Sequence, residues 1–273
     1  MEREAEEILN HCKKILSGEE EHTFQKVFGK NYSERSIETP WVASRIKNYK
    51  FRTILDIGFS MSSLDYLGLL LELQKYYNIR IEAIDIINPE RVKNRYPKEW
   101  YDDIFSIPIM IGDIRDVQLP KGKYDAVTCI STIEHIGFDI ATINNLNTAF
   151  DRKLNPKEVN MNRPSVTNQV VLNQFSVALK TNGKLLISVP AGKGGPILLR
   201  DSLGYYCAEW EYNNLSWNEI ANHPNFELIE QYFFKINKKG IWEQVSSINA
   251  LSKQSASLKA HAEGCIVALL SKI

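Results

Sequence analysis

From residue 53 onward, short apolar runs rich in β-branched residues alternate with helical stretches. That alternation restricts the chain to a mainly parallel sheet with helices on both faces. Thr53-Ile54-Leu55-Asp56-Ile57-Gly58 reads as a buried strand that ends in a loop. Residues 64–77 read as a helix and Arg80-Ile81-Glu82-Ala83-Ile84-Asp85 as a second strand. Residues 107–111 give a third strand and residues 124–130 a fourth. Residues 184–189 give a fifth, announced by the Asn182-Gly183 turn. Residues 226–236 and 264–270 follow, and the second of these is apolar throughout, as a central strand should be. Such a pair at the end of a parallel sheet predicts a C-terminal antiparallel hairpin. The expected fold is α/β: a Rossmann-like sandwich with a mainly parallel seven-stranded sheet.

The segments flanking this core have other characters. Residues 1–50 read as a helical lead-in or cap ahead of one domain over 51–273. Ile8, Leu9, Cys12, Ile15 and Leu16 fall on one helix face. Phe24, Val27 and Phe28 suggest a second short helix, and residues 41–46 a third, with Pro40 at the first helical position that proline favours. Residues 138–172 form a polar insertion with Asn144, Asn145, Asn147, Asn155, Asn160, Asn162 and Asn168, interrupted by Pro156 and Pro164. Long loops of this kind often act as lids or binding loops. The loop Pro190-Ala191-Gly192-Lys193-Gly194-Gly195-Pro196 lacks the spacing of a nucleotide P-loop and reads as a flexible substrate-side loop. Tyr205, Tyr206, Trp210, Tyr212 and Trp217 after it read as packing residues.

Composition excludes several function classes. Lys+Arg and Asp+Glu both count 33 among 273 residues, which leaves no basic surplus for general nucleic-acid binding. No apolar run approaches the roughly 20 residues that span a bilayer, and the acidic start has no apolar signal-peptide core. Cys12, Cys129, Cys207 and Cys265 lie far apart, with neither a CxxC pair nor Cys/His ligand spacing. They read as free thiols in a reducing cytoplasm, and no metal site is expected.

Four features fall, in order, at the ends of four successive strands. Asp56-Ile57-Gly58-Phe59-Ser60-Met61-Ser62 is a small-residue loop between strand and helix, where open α/β sheets bind ligands. Asp85 ends the second strand, where an acceptor-only carboxylate suits the vicinal hydroxyls of a ribose. Gly112-Asp113-Ile114 follows the third strand: an acid for an amino group, an apolar side chain for a ring. After the fourth strand, Ser131-Thr132-Ile133-Glu134-His135-Ile136-Gly137 puts Glu134 and His135 beside a prospective ligand. Each feature alone also fits a solvated turn or a helix cap.

Over residues 50–137 and 170–273, this ordered set resembles the class I methyltransferases that use S-adenosylmethionine (SAM). The Ser131–Gly137 string is similar to a subset among bacterial small-molecule and glycan-associated members. The resemblance implies SAM contacts from Asp56, Gly58, Phe59, Ser60, Ser62, Asp85, Ile86, Asp113, Ile114, Ser131 and Thr132. Ser60 and Ser62 stand where the family carries glycine. It also implies methyl transfer to an O or N atom of a small polar acceptor, such as a sugar or an aminoglycoside-like intermediate. His135 is then the candidate base, because imidazole titrates near neutrality, with Glu134 second. A homodimer is compatible with this class. The competing expectation is a SAM-fold binding or partner protein without methyl transfer. A nicotinamide-dependent oxidoreductase is disfavoured because G-x-G-x-x-G is missing after the first strand.

Overall fold

The computed structural model describes residues 3–25, 28–138, 156–200, 206–255, 257 and 261–273. Its centre is an eight-stranded sheet in the order β3-β2-β1-β4-β5-β10-β8-β9. The strands are β1 (Thr53–Ile57), β2 (Arg80–Asp85), β3 (Ile109–Ile111), β4 (Tyr124–Ile130), β5 (Leu179–Pro190), β8 (Phe226–Ile236), β9 (Trp242–Val245) and β10 (Gly264–Lys272). Strands β3, β2, β1, β4 and β5 pair in parallel. β10 is antiparallel to both β5 and β8, and β9 is antiparallel to β8. The fold is therefore Rossmann-like, with the antiparallel C-terminal strands expected.

The strand count is eight rather than seven. β9 holds only four residues, half of them exposed, so it carries no buried alternation that would announce a strand. It pairs with β8 through Phe233–Val245 to Ile236–Trp242. The third strand begins at Ile109 rather than 107, because Pro108 has no N–H to give the ladder and only its carbonyl accepts from Ala83.

Alternation along each strand divides the core into two layers. Ile54, Ile81, Ala83, Ala126, Leu186 and Val267 face one layer, which also holds Ile8, Ile15, Trp41, Ile46, Leu67 and Leu70. Leu55, Ile84, Val127, Ile187 and Ile266 face the other, with Val171, Phe175, Trp217 and Ile220. Three helices cover the first face: α1 (Arg3–Ser17), α2 (Arg35–Tyr49) and α3 (Leu64–Tyr76). A short α4 (Tyr101–Ser106) precedes β3, and α5 (Thr167–Ala178) and α6 (Asn214–Ala221) cover the second face. The face of α1 read from the sequence is the buried one.

Three local expectations need correction. No helix forms at Phe24 and Phe28 among the described residues, and Val27 lies outside them. Pro40 sits inside α2 rather than at its start, because the helix is extended backwards: Ser36, Ile37 and Glu38 N–H groups already bond the Ser33 and Glu34 carbonyls. The glycine-rich loop opens a β-hairpin, β6 (Gly195–Arg200) with β7 (Tyr206–Glu211), in a separate two-stranded sheet.

Candidate functional site

The sheet order reverses at β1, which has β2 on one side and β4 on the other. In an open α/β sheet, the crevice outside the carboxyl ends at such a switch point is where ligands bind. Gly58 opens the loop after β1 with φ +88°, and its N–H bonds the Ile84 carbonyl at 2.9 Å. A Cβ at this position would lie 2.4 Å from Thr132 Oγ1, so the loops after β1 and β4 touch across the crevice floor. Thr132 itself turns its hydroxyl back to the Ile130 carbonyl at 3.0 Å.

Asp85 holds the neighbouring corner. Its carboxylate accepts the Ser60 N–H at 2.7 Å and the Ile87 N–H at 2.8 Å. Burial nevertheless raises its pKa to about 6, against those backbone bonds. It is ionised at neutral pH, and a carboxylate with one bond on each oxygen keeps acceptor positions for a diol. Ser60 is fully buried, its hydroxyl donated to the Ile87 carbonyl, and Ser62 donates to the Gly58 carbonyl. Ser62 thus closes the loop on itself, and Ser60 ties it to the segment after β2. Phe59 is fully buried in the α1–α3 layer.

Three other residues read from the sequence take positions that the motif does not announce. Asp56 is fully buried and points between α3 and β4: its Oδ1 accepts from Tyr66 Oη and Thr128 Oγ1, both at 2.7 Å, while Oδ2 has no partner. Burial raises its pKa to about 7 in spite of those hydroxyls. Asp113 is forked by its neighbour Arg115, whose Nη2 lies 2.6 Å from Oδ2; burial pushes the carboxyl up, but Arg115 holds it below its ordinary value. Ile114 is buried in the second core layer, whereas Ile86, just beyond Asp85, is 36% exposed and offers apolar surface at the crevice mouth.

The turn after β4 is the most heavily braced part of the site. Ser131 adopts φ +43° and donates its hydroxyl to Glu38 Oε1 on α2 at 2.8 Å. Arg163 spans the turn, donating to the Ile133 and Ile136 carbonyls, and Asn168 receives from Arg163 and from Tyr212 Oη. The described part of the insertion therefore acts as a clamp, and Asn168, read from the sequence as part of a polar lining, is a buried structural amide. Asn144, Asn145, Asn147 and Asn155 lie outside the described residues, as does Tyr205. Tyr212 and Trp217 are buried packing residues, as expected.

This bracing brings together residues that no sequence motif connects. Glu134 is buried, and burial followed by the charge of Glu209 raises its pKa well above the ordinary value. His135 Nδ1 lies 3.1 Å from the Ala208 carbonyl on β7, so Nδ1 carries the proton and Nε2 keeps the lone pair. Nε2 is 3.9 Å from Glu209 Oε2. Burial lowers the imidazole pKa, against the raising effect of the Ala208 carbonyl. Glu209 is itself buried, and burial, then Glu34 and Glu211, raise its pKa to about 8. Arg35 on α2 is the cation beside this acidic cluster, and its guanidinium pairs with the buried Glu38. Sequence reasoning missed Glu38, Arg35 and Glu209: α2 and the β6–β7 hairpin deliver them from far along the chain.

No family model and no curated protein matches the chain. Among solved structures, it is similar to a SAM-dependent methyltransferase from Methanosarcina mazei at 13% identity, over 84% of this chain and 97% of that one, TM-score 0.49. It is also similar to the N-methyltransferase NodS from Bradyrhizobium japonicum at 11% identity, over 88% and 96%, TM-score 0.44. A third is the 1,6-didemethyltoxoflavin-N1-methyltransferase from Burkholderia thailandensis, with S-adenosylhomocysteine bound: 13% identity, 81% and 70%, TM-score 0.45. Likeness this distant says nothing of substrate. Among the described residues, no helix is long and apolar enough to cross a membrane.

Proposed function

We propose that the chain is a SAM-dependent methyltransferase acting on an O or N atom of a small polar acceptor. One observation carries this reading: a crevice at the β1/β4 switch point, floored by Gly58 against Thr132 and cornered by the nearly buried Asp85. Bound there, SAM supplies a methyl group already activated by its sulfonium. Asp85 receives the ribose hydroxyls, Ile86 underlies the adenine, and the braced Gly58–Ser62 loop approaches the cofactor through its backbone. Asp113 reaches the adenine edge only as its Arg115 fork opens. The protein's remaining tasks are alignment, exclusion of water and acceptance of a proton.

The acceptor approaches from the side of the turn after β4. Nε2 of His135 bears a lone pair with its tautomer fixed by Ala208, which suits it to take the acceptor's proton. Glu134 supports the same step as a second acceptor. Calorimetry of the full chain with SAM and with S-adenosylhomocysteine tests the reading, and saturable one-to-one binding is expected. Absence of detectable binding at millimolar ligand overturns it. SAM binding without methyl transfer to any polar acceptor in a broad panel would favour a binding or partner protein instead. We further propose that the chain acts in the cytoplasm, without nucleic acid, as one domain over 51–273 fronted by residues 1–50, with a homodimer as its oligomer.

A further inference from the structure

The acidic cluster beside His135 has the chemistry of a cation site. One donor atom each from Glu134, His135 and Glu209 lie within 4.8 Å of one another. Ligand atoms bound about 2.0–2.2 Å from a common ion stand roughly 3–4 Å apart, so a small rotation of side chains would bring these three to coordination distance. Two further observations point to a ligand. Glu134 is 1% exposed, yet its Oε2 has no hydrogen-bond partner. An unpaired buried carboxylate oxygen is costly unless something positive meets it. His135 gives Nδ1–H to the Ala208 main-chain carbonyl and directs Nε2 toward Glu209. Metal-binding histidines take this arrangement: the second ring nitrogen is anchored on a carbonyl, which fixes the tautomer and aims the lone pair. Arg35 is the cation facing the cluster, and its own contact goes to Glu38 rather than to any of the three.

We propose that Glu134, His135 and Glu209 form a binding site for a divalent transition-metal ion of the zinc or manganese class. An imidazole nitrogen with two carboxylates favours such ions over calcium and magnesium, which prefer all-oxygen shells. His135 is 34% exposed on its side chain, so an ion could reach the three ligands from solvent. With an ion bound, Nε2 would be a ligand and its lone pair would no longer be free to take a proton. The inference rests on the methyltransferase reading only for what lies beside the site, since ion binding needs neither SAM nor acceptor.

The test titrates chelator-stripped full-length protein with Zn²⁺, Mn²⁺ and Mg²⁺ by calorimetry, in the absence of SAM. One-to-one binding of Zn²⁺ or Mn²⁺ is expected, with Mg²⁺ much weaker. Glu134→Gln and Glu209→Gln keep side-chain volume and remove a charged ligand, so each should weaken binding by at least about tenfold. Wild-type protein that binds no ion stoichiometrically overturns the proposal, as does unchanged affinity in both folded variants. Should the variants fail to fold, anomalous diffraction from wild-type crystals grown with Zn²⁺ decides: a peak between the three side chains supports the site, and a peak only elsewhere overturns it. Loss of SAM binding alone would strike the methyltransferase reading and leave the ion site standing.

Discussion

Asp56 should make the stability of this fold depend on pH, in the direction opposite to a salt-bridged carboxylate. The side chain is fully buried, its Oδ2 has no partner, and its pKa is about 7 against an ordinary 3.8. The folded state thus holds a proton that the unfolded chain releases above about pH 4. Stability from this site is fully present below the unfolded pKa and is lost as pH rises through 7. A gap of roughly three pKa units at 1.36 kcal/mol each gives on the order of 4 kcal/mol between pH 4 and pH 8. That is a large part of the about 5–15 kcal/mol that a domain has in total. Asp56→Asn keeps an oxygen for Tyr66 and Thr128 but cannot ionise. Urea denaturation of both proteins at intervals from pH 4 to pH 8 measures the difference. Wild type should lose about 4 kcal/mol relative to Asp56→Asn over that range, at equal m-values. A difference that stays constant with pH refutes the buried-carboxylate account.

Three further outcomes bear on the site. Asp85→Ala should weaken SAM binding by roughly 1–3 kcal/mol, the loss of hydrogen bonds to a charged group; unchanged affinity in a folded variant, read by calorimetry, removes Asp85 from the ribose role. Gly58→Ala combines a positive φ with a Cβ 2.4 Å from Thr132 Oγ1, so thermal melting should show destabilisation of at least about 1–3 kcal/mol, and pairing it with Thr132→Ala, which removes the clashing Oγ1 and Cγ2, should recover little if φ dominates. His135→Ala should cut turnover about 100-fold or more with SAM affinity little changed; a loss of only a few-fold would show that positioning alone drives transfer.

What could be read from sequence follows from where each signal is encoded. The central parallel strands β1 and β4 announce themselves because both of their faces are buried and their apolar runs are nearly continuous. β9 does not, since its exposed face and four-residue length leave no pattern. The β6–β7 hairpin hid behind a glycine-rich entry that looks like a loop. Asp85, Gly58 and the turn after β4 were legible because the fold always puts strand ends at the crevice. The inward turn of Asp56 was not: it depends on Tyr66 one helix away and Thr128 three strands later in the chain. Glu38 and Glu209 were invisible for the same reason, since nothing local marks a carboxylate whose meaning comes from a partner 93 residues distant, as Ser131 is from Glu38.

One of those distant carboxylates, Glu38, is delivered by α2 from the N-terminal segment. α2 brings Arg35 and Glu38 to the turn after β4, where Ser131 and Glu134 sit, while Thr39 of the same helix donates to the buried Asp65 of α3 at 2.6 Å. One guanidinium thus balances several buried carboxylates, an arrangement that is costly to bury and very costly to leave half-made. It sits beside the turn after β4 and not at the Gly58–Asp85 corner, which separates the two sides of the crevice chemically. The β1–β2 edge is built from backbone donors and Asp85, and the β4–β7 edge from Glu134 and Glu209, whose carboxyls burial pushes toward the neutral acid. A divalent ion bound at that second edge displaces those protons, so its affinity should rise with pH; a titration that shows the same affinity at pH 6 and pH 8 refutes this.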